Sequence, residues 1–188
     1  MAPKGLLFII SGPSGTGKST VLRVILEKRP ELRYSISYTT RPPREGEQDG
    51  VDYDFISKDA FRKKMDSGEF AEWAEVHGEL YGTPGRFLDE AFAAGHDVLL
   101  DIDVEGAKNI YSGYPEAVLI FIAPPSVEEL EKRLVNRGAD SSRAVEQRLK
   151  NSKAEMAEAH HYHHVIVNDD LAGTVSKLEA IIENARLK

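Results

Sequence analysis

The stretch Gly12-Pro13-Ser14-Gly15-Thr16-Gly17-Lys18-Ser19 fits the pattern G-x-x-x-x-G-K-[ST]. The apolar run Leu6–Ile10 precedes it and the helical pattern Thr20–Lys28 follows it, which is the strand–turn–helix context that the pattern needs. Glycines let backbone N–H groups surround a polyphosphate, and the helix N-terminus favours negative charge there. Lys18 would reach the β- and γ-phosphates, and the Ser19 hydroxyl would bind Mg²⁺. The stretch predicts a nucleoside triphosphate site, and its context argues against a glycine-rich turn without a ligand.

Further apolar runs and helical patterns alternate along the chain. Buried strands are predicted at Asp97–Ile102, Val118–Ile122 and Val165–Val167, and helices at Ser126–Asn136, Arg143–His160 and Thr174–Ala185. Strands that alternate with helices indicate an α/β fold with a parallel sheet and right-handed crossovers. Gly138–Ser142 is predicted to be a loop between two helices that moves as a lid.

The stretch from about residue 34 to residue 85 has a different composition, rich in Tyr, Thr, Gly and charged residues. Its short alternating pieces are Tyr34–Tyr38, Tyr53–Ile56 and Phe70–Val76. A helix is predicted among them at Lys58–Asp66, with Ser57 as its N-terminal cap. This stretch therefore predicts a small mixed β subdomain inserted after the first helix.

The chain has 188 residues, a formal net charge of −7 and no cysteine. The length suits one compact domain. The lack of cysteine excludes a disulfide framework and a thiolate metal site. The negative charge disfavours binding along nucleic acid, although clustered arginines can still bind a small anion. The N-terminal apolar run is too short to span a membrane and leads directly into the glycine-rich stretch, so we expect a cytoplasmic protein with no membrane or nucleic-acid partner.

Two acidic residues, Asp101 and Asp103, stand at the end of an apolar strand pattern. Residues two apart face the same side of an extended strand. A strand-end carboxylate is the usual partner of a phosphate-binding loop in holding hydrated Mg²⁺. One of the two could serve the metal and the other a substrate, and the alternative is a pair of acids that meet only solvent.

Two groups of arginines in the sequence could bind phosphate groups. Arg41 and Arg44 lie in a segment stiffened by two prolines, and guanidinium groups bind phosphate in bidentate fashion. The second group comprises Arg133, Arg137, Arg143 and Arg148. Arginines that close over a transferring phosphoryl group stabilise its charge. Taken alone, the first group would be a solvated basic loop and the second a set of salt-bridge partners for neighbouring glutamates.

Further motifs stand in order along the chain: Ser35-Ile36-Ser37-Tyr38-Thr39-Thr40-Arg41-Pro42-Pro43-Arg44, Asp52-Tyr53, Glu72-Trp73-Ala74, Tyr81-Gly82-Thr83, Leu100-Asp101-Ile102-Asp103, Phe121-Ile122-Ala123-Pro124-Pro125-Ser126, Arg137-Gly138 and Val165-Ile166-Val167-Asn168-Asp169-Asp170. With them the chain resembles the guanylate kinase family from about residue 4 to residue 185. The resemblance implies a P-loop kinase fold in a single domain, with a core at about 1–33, 86–136 and 161–188, a GMP-binding region at about 34–85 and a helical lid at about 137–160. It also implies phosphorylation of GMP to GDP by ATP with Mg²⁺, with dGMP as a further candidate acceptor and the oligomeric state left open.

The resemblance assigns roles position by position. ATP would be bound by Gly12, Ser14, Gly15, Thr16, Gly17, Lys18, Ser19, Thr20, Arg133, Asn168 and Asp169. The GMP phosphate would be held by Arg41, Arg44, Tyr53 and Tyr81, and guanine would be read by Ser37, Glu72, Thr83 and Asp103. The catalytic residues would be Lys18, Arg44, Arg137 and Arg148. The metal would be held by Ser19 and, through water, by Asp101.

The chemistry of the residues agrees with this assignment. Guanine presents its N1–H and its 2-amino group side by side, and one carboxylate, Glu72, can accept both hydrogen bonds. Adenine presents an acceptor at N1 instead, so it would leave the carboxylate without a donor. A site built on such hydrogen bonds can reject the wrong base by ~10⁴-fold or more. The Ser37 hydroxyl can donate to the O6 atom of guanine.

Three rival functions use part of the same sequence. A kinase for a phosphorylated sugar would share the phosphate-binding loop but would have no use for Glu72 with Ser37. A non-catalytic scaffold module typically lacks the loop lysine, which is present here as Lys18. A GTPase switch would explain Asp103-Val104-Glu105-Gly106 as D-x-x-G, but the chain has no N-K-x-D motif to read guanine.

Overall fold

The structure, a computed structural model, describes residues 5–76, 78–136 and 142–187. The strands are β1 (Leu7–Ser11), β2 (Arg33–Tyr34), β3 (Tyr38–Thr39), β4 (Asp54–Phe55), β5 (Phe70–Val76), β6 (Glu79–Pro84), β7 (Val98–Asp101), β8 (Val118–Ala123) and β9 (His164–Val167). The α-helices are α1 (Lys18–Lys28), α2 (Lys58–Asp66), α3 (Gly85–Ala93), α4 (Val104–Gly113), α5 (Val127–Asn136), α6 (Ser142–Ala157) and α7 (Leu171–Arg186), and a 3₁₀ turn spans Glu158–His161.

The chain divides into two compact units. The first unit comprises Met1–Leu7 and Glu31–Ala117, and the second comprises Phe8–Pro30 and Val118–Lys188. In the second unit β8 lies between β1 and β9, and both pairings are parallel. Strands β1 and β8 are almost continuously apolar, and nearly all of their residues are buried, as expected for a parallel sheet covered on both faces.

Helices α1 and α7 of the second unit contact each other. Val21, Leu22 and Ile25 are the buried residues of α1, while Leu178 and Ile182 are buried on α7. An ion pair with an N–O distance of 2.9 Å joins Lys28 to Glu179 across the exposed rim of this contact. Exposed pairs of this kind contribute little stability, so apolar burial holds the two helices together.

The first unit contains a parallel pair, β2 with β7, and a four-stranded mixed sheet in the order β4-β3-β6-β5. Strands β5 and β6 form an antiparallel hairpin, β3 is antiparallel to β6, and β3 is parallel to β4. On this sheet the rings of Phe61 from α2 and Phe70 from β5 stack with centroids 4.5 Å apart. Helix α4 contacts β5, and α3 contacts both β5 and β7.

The predicted α/β class, with parallel strands and a separate mixed sheet, is confirmed. The Ser57 cap is also confirmed, because its hydroxyl accepts a 3.2 Å hydrogen bond from the Ala60 N–H. One predicted piece behaves differently: Tyr34–Tyr38 is divided between the two sheets, since Tyr34 pairs with Leu99 of β7 and Tyr38 pairs with Gly82 of β6. Helices α3 and α4 were not predicted. The predicted loop Gly138–Ser142 lies almost entirely outside the described residues.

No helix among the residues that the structure describes is both long and apolar enough to cross a membrane.

Candidate active site

The glycine-rich stretch forms a turn between the end of β1 and the start of α1. Gly12 and Gly17 have φ values of +145° and +88°, which L side chains rarely adopt. A Cβ at Gly12 would lie 2.1 Å from the backbone oxygen of Ile122, and one at Gly17 would lie 2.7 Å from Nδ2 of Asn168. Both positions therefore require glycine. At Gly12 the backbone of β8 leaves no room for a side chain, and at Gly17 the Asn168 side chain lies in the way. Ser19 and Thr20 are exposed in the first turn of α1.

The Lys18 side chain curls back over this turn. Its ammonium group donates hydrogen bonds to the carbonyl oxygens of Gly12, at 2.6 Å, and Pro13, at 3.4 Å. The hydroxyl of Thr16, which is fully buried, donates to the Pro13 oxygen at 2.9 Å. These bonds hold the loop closed on itself and keep a positive charge at its centre, which is the arrangement that a polyphosphate needs.

Asn168 supports the same loop from the end of β9. Its amide Nδ2 donates a 2.6 Å hydrogen bond to the Thr16 carbonyl, and its Oδ1 accepts a 3.0 Å bond from the Thr174 hydroxyl of α7. Asn168 and Thr174 are both buried. The neighbouring Asp169 is exposed, and hydrogen bonds from the Asp170 N–H and its own N–H lower the pKa of its carboxyl group. The supporting role of Thr174 carries no sequence signal, because it depends on a contact across the fold.

The arginines predicted for the lid fall in different places. Arg133 on α5 pairs with Glu129 one turn earlier, with an N–O distance of 3.2 Å. Arg148 lies half-buried on α6, a helix that contacts α5. Arg137 lies outside the described residues. The Arg133–Glu129 pair is one of the salt bridges that the alternative interpretation of these arginines predicts.

In the first unit, Glu72 and Thr83 face each other across the β5–β6 hairpin. Both are buried, and the Thr83 hydroxyl donates a 2.6 Å hydrogen bond to Oε1 of Glu72. The other carboxylate oxygen, Oε2, is buried and has no hydrogen-bond partner among the described residues. Burial raises the pKa of Glu72 to about 7; the Thr83 bond opposes this rise and the charge of Asp103 adds to it. The Thr83 bond therefore holds the carboxylate in place, while its Oε2 atom stays available to accept a hydrogen bond.

Asp103 caps the helix that packs beside Glu72. Its Oδ1 accepts hydrogen bonds from the backbone N–H groups of Glu105, at 2.8 Å, and Gly106, at 3.0 Å. This capping explains why α4 begins directly after β7 and its acidic end. Ser37 is buried between β2 and β3, where its backbone oxygen accepts a bond from Asp54.

A second cluster in the same unit surrounds Arg41. Its guanidinium group donates to both carboxylate oxygens of Glu47, each at 2.9 Å, and lies 5.5 Å from the Tyr53 ring centroid. The Tyr53 ring packs edge-on against Tyr81 at 5.9 Å. The Nε atom of Arg41 is buried and has no hydrogen-bond partner among the described residues. The structure therefore brings Arg41, Tyr53 and Tyr81 together, as the resemblance implies.

Glu47 was not predicted as a site residue. Besides holding Arg41, its Oε2 accepts a 2.7 Å bond from the backbone N–H of Arg44, whose side chain is exposed. Burial acts to raise the pKa of Glu47, but the bonds from Arg41 and the Arg44 backbone outweigh it and lower that pKa below its ordinary value. An acid three residues after Arg44 is a weak sequence signal that could have suggested this pairing.

Asp101 ends β7 and acts electrostatically on two half-buried tyrosines, Tyr34 and Tyr53. Burial raises the pKa of Tyr34, and the Asp101 charge raises it further; the same two causes raise the pKa of Tyr53. Among the described residues, no group of three or more His, Cys, Asp or Glu side chains is arranged to hold a metal ion. Hydroxyl and carboxylate oxygens, such as those of Ser19 and Asp101, are the ligand types that Mg²⁺ prefers.

Comparisons with known proteins agree with one another. Residues 4–185 match the family model described as Guanylate kinase. The guanylate kinase of Symbiobacterium thermophilum is 50% identical over 186 residues, which cover 98% of this chain and 88% of that protein. The guanylate kinase of Geobacter metallireducens is 47% identical over 188 residues, covering 100% of this chain and 93% of the other.

Solved structures give the same result for the fold. The crystal structure of guanylate kinase from Anaplasma phagocytophilum matches with a TM-score of 0.83 at 34% identity, covering 98% of this chain and 88% of that chain. Shikimate kinase from Bacteroides thetaiotaomicron matches with a TM-score of 0.50 at 11% identity over 95% of this chain and 98% of the other, which is a likeness of fold alone.

Proposed function

The chain belongs to the guanylate kinase family and catalyses the ATP-dependent phosphorylation of GMP to GDP, and we propose which of its residues carry out that reaction. The observation that carries the proposal is the buried Glu72 carboxylate, which is fixed at Oε1 and open at Oε2.

Glu72 reads the guanine base. Thr83 holds Oε1, so the carboxylate cannot turn; Oε2 remains to accept from the 2-amino group of guanine, and the second lone pair of Oε1 can accept from the adjacent N1–H. The ionised carboxylate binds these donors strongly because hydrogen bonds to a charged acceptor are about twice as strong as neutral ones. AMP offers no such donor pair and leaves a buried acceptor unsatisfied. Ser37 and Asp103 complete the recognition of the base.

The GMP phosphate is held by Arg41, Arg44, Tyr53 and Tyr81. Glu47 occupies the two terminal nitrogens of Arg41, which leaves its buried Nε–H without a partner. That N–H lies on one edge of the planar guanidinium and suits a phosphate oxygen. Glu47 therefore orients Arg41 toward the phosphate.

The glycine-rich loop holds ATP. Backbone N–H groups from Gly12 to Thr20, among them those of Ser14 and Gly15, surround the phosphates, and Lys18 exchanges its bonds to loop carbonyls for bonds to phosphate oxygens. Asn168 and Asp169 lie at the end of β9, and we assign Asn168 the further task of fixing the loop through Thr16. Arg133 joins the ATP site once it leaves Glu129.

Mg²⁺ fits the residues available for it. The exposed Ser19 hydroxyl would bind the ion directly, and the Asp101 carboxylate would bind through water. When bound, the ion neutralises charge on the ATP phosphates.

Transfer is a direct in-line attack by a GMP phosphate oxygen on the γ-phosphorus of ATP, while the bond from that phosphorus to the β–γ bridging oxygen breaks and ADP leaves. The nucleophile is already an anion, so no general base is required. Lys18 and Arg44, together with Arg137 and Arg148 from the lid, stabilise the negative charge on the transferring group. Exclusion of water during transfer would prevent ATP hydrolysis.

We place the reaction in the cytoplasm, on free nucleotides. The chain is cysteine-free, as suits a reducing compartment, and its net charge of −7 opposes binding along nucleic acid.

A panel of acceptors with ATP and Mg²⁺, followed by ADP formation, tests the proposal. We expect turnover with GMP and little with AMP or a sugar phosphate, and dGMP is included as a further candidate acceptor. Turnover of a sugar phosphate without turnover of GMP would overturn the assignment. The Glu72→Gln variant sharpens the test, because glutamine presents a donor and should weaken GMP use more than ATP use.

A further inference from the structure

Gly106 lies in the first turn of α4, where the helix packs against β5. It is buried, and its φ is not in the left-handed region, so the backbone would accept any L residue here. A Cβ built on Gly106 would lie 3.0 Å from Oε2 of Glu72 and 3.4 Å from Oδ2 of Asp103. The neighbours of this glycine are thus the two acids assigned to the guanine base.

A methyl group at Gly106 would make a tight contact with Glu72, a few tenths of an ångström inside the ordinary van der Waals distance. A carbon 3.0 Å from a carboxylate oxygen requires one of the two to move. Glu72 has little room, since it is buried and its Oε1 is bonded to the fully buried Thr83 hydroxyl. Added bulk at Gly106 would therefore displace Oε2, the oxygen that has no partner in the protein.

Helix energetics make glycine unfavourable at this position. Glycine has a lower helix propensity than alanine, and the backbone conformation at Gly106 does not itself require glycine. We propose that Gly106 is a specificity-determining position: its missing side chain leaves Oε2 of Glu72 in the place from which it reads the 2-amino group of guanine. The inference rests on the proposed function, because it assumes that Glu72 binds the base.

Helix α4 also supplies a matched control. Gly113, at the other end of the helix, is exposed, and a Cβ built there would have no atom within 4 Å. Gly106→Ala and Gly113→Ala therefore make the same chemical change in the same helix, one against Glu72 and one in open space.

The test compares both variants with the parent enzyme, using GMP and inosine monophosphate, which keeps N1–H but lacks the 2-amino group. For Gly106→Ala we expect the KM for GMP to rise by roughly tenfold, the size of one impaired hydrogen bond to a charged group. The KM for ATP should change by less than about twofold, and the preference for GMP over inosine monophosphate should fall because the lost bond is to the 2-amino group. Gly113→Ala should keep all three values.

Two further results separate the possible failures. A parent enzyme that does not phosphorylate GMP refutes the proposed function, whereas an active parent with Gly106→Ala indistinguishable from Gly113→Ala refutes this inference alone. If Gly106→Ala unfolds below the assay temperature, the double variant Gly106→Ala/Glu72→Asp still tests the inference. The aspartate side chain is shorter than glutamate, so its carboxylate lies farther from the added methyl group. We expect the double variant to bind GMP as Glu72→Asp alone does, and an additional loss in the double variant would show that the methyl group does not act through Glu72.

Discussion

The side-chain amide of Asn168 donates a 2.6 Å hydrogen bond to the backbone oxygen of Thr16, a residue 152 positions earlier in the chain. Thr174 completes the arrangement by donating to the other end of the same amide. The glycine-rich loop is thereby tied to the start of α7 through buried polar groups, which are costly to leave unsatisfied.

Asn168→Ala should lower the free energy of unfolding by about 1–3 kcal/mol in the absence of nucleotide, since it leaves the Thr16 oxygen and the Thr174 hydroxyl without partners. It should also raise the KM for ATP. Denaturant melts and steady-state kinetics measure the two effects. Thr174→Val should act in the same direction, while Ser176→Ala, a hydroxyl deletion on the exposed face of α7, should do neither. Unchanged stability in Asn168→Ala would mean that Asn168 only contacts nucleotide.

Lys18→Ala should reduce kcat by about 10²–10³-fold, the usual cost of removing one charge-stabilising group from an active site. The fold should survive, because within the described part of the chain the lysine bonds only to carbonyls of its own loop. Circular dichroism and ADP formation would check both statements. Lys28→Ala, at the exposed end of the same helix, is the matched control. Near-parental turnover in Lys18→Ala would remove Lys18 from the mechanism.

Glu72 should make the protein's stability depend on pH. Its folded pKa, about 7, lies above the ordinary value of 4.5, so the folded state holds a proton that the unfolded state releases between these values. Stability should therefore fall as pH rises through this window, and the loss is complete above pH 7. Glu72→Gln removes this loss, and we expect it to gain on the order of 3 kcal/mol relative to the parent between pH 4.5 and pH 8, since each pKa unit is about 1.4 kcal/mol. Denaturant melts without nucleotide at pH 4.5 and pH 8 measure the free energy of unfolding of the parent and of Glu72→Gln. A difference between the two proteins that is the same at both pH values would contradict the prediction.

Protonation of the Glu72 carboxylate should compete with GMP binding. Binding of guanine requires the ionised carboxylate, so the KM for GMP should rise as pH falls below about 7, while the KM for ATP should not follow it. Glu72→Gln, although weaker throughout, should lose this component of the pH dependence. Any slope that remains in the variant belongs to ionisation of the nucleotide phosphate. An identical profile in the parent and the variant would count against Glu72 as the titrating group.

Glu47→Gln should raise the KM for GMP by roughly tenfold, because a neutral amide cannot accept both terminal N–H groups of Arg41 and leaves the guanidinium loosely oriented. Glu45→Gln, an exposed neighbour, is the control and should behave as the parent does. A lower KM in Glu47→Gln would show instead that the carboxylate competes with the phosphate for Arg41.

The sequence predicted those features of the fold and site that depend on residues close together in the chain. The loop from Gly12 to Ser19 can be read directly, since its spacing, preceding strand and following helix all lie within about thirty residues. Glu72 was found only through resemblance, because its partner Thr83 is specified by the register of a hairpin. Helix α4 was missed since its cap, Asp103, was interpreted as the end of a strand. The Asn168–Thr16 bond could not be foreseen, because no short-range pattern encodes a contact across 152 residues.

The close approach of Gly12 to the Ile122 oxygen has a consequence for how nucleotide is received. That oxygen belongs to the backbone of β8 and cannot move aside as a side chain would. Contact with β8 therefore fixes the conformation of the first turn of the loop, and the hydrogen bond from Lys18 to the Gly12 carbonyl stabilises it. Under the proposed function, ATP would therefore enter a loop that is already in its binding conformation, and little binding free energy would be spent on ordering the backbone.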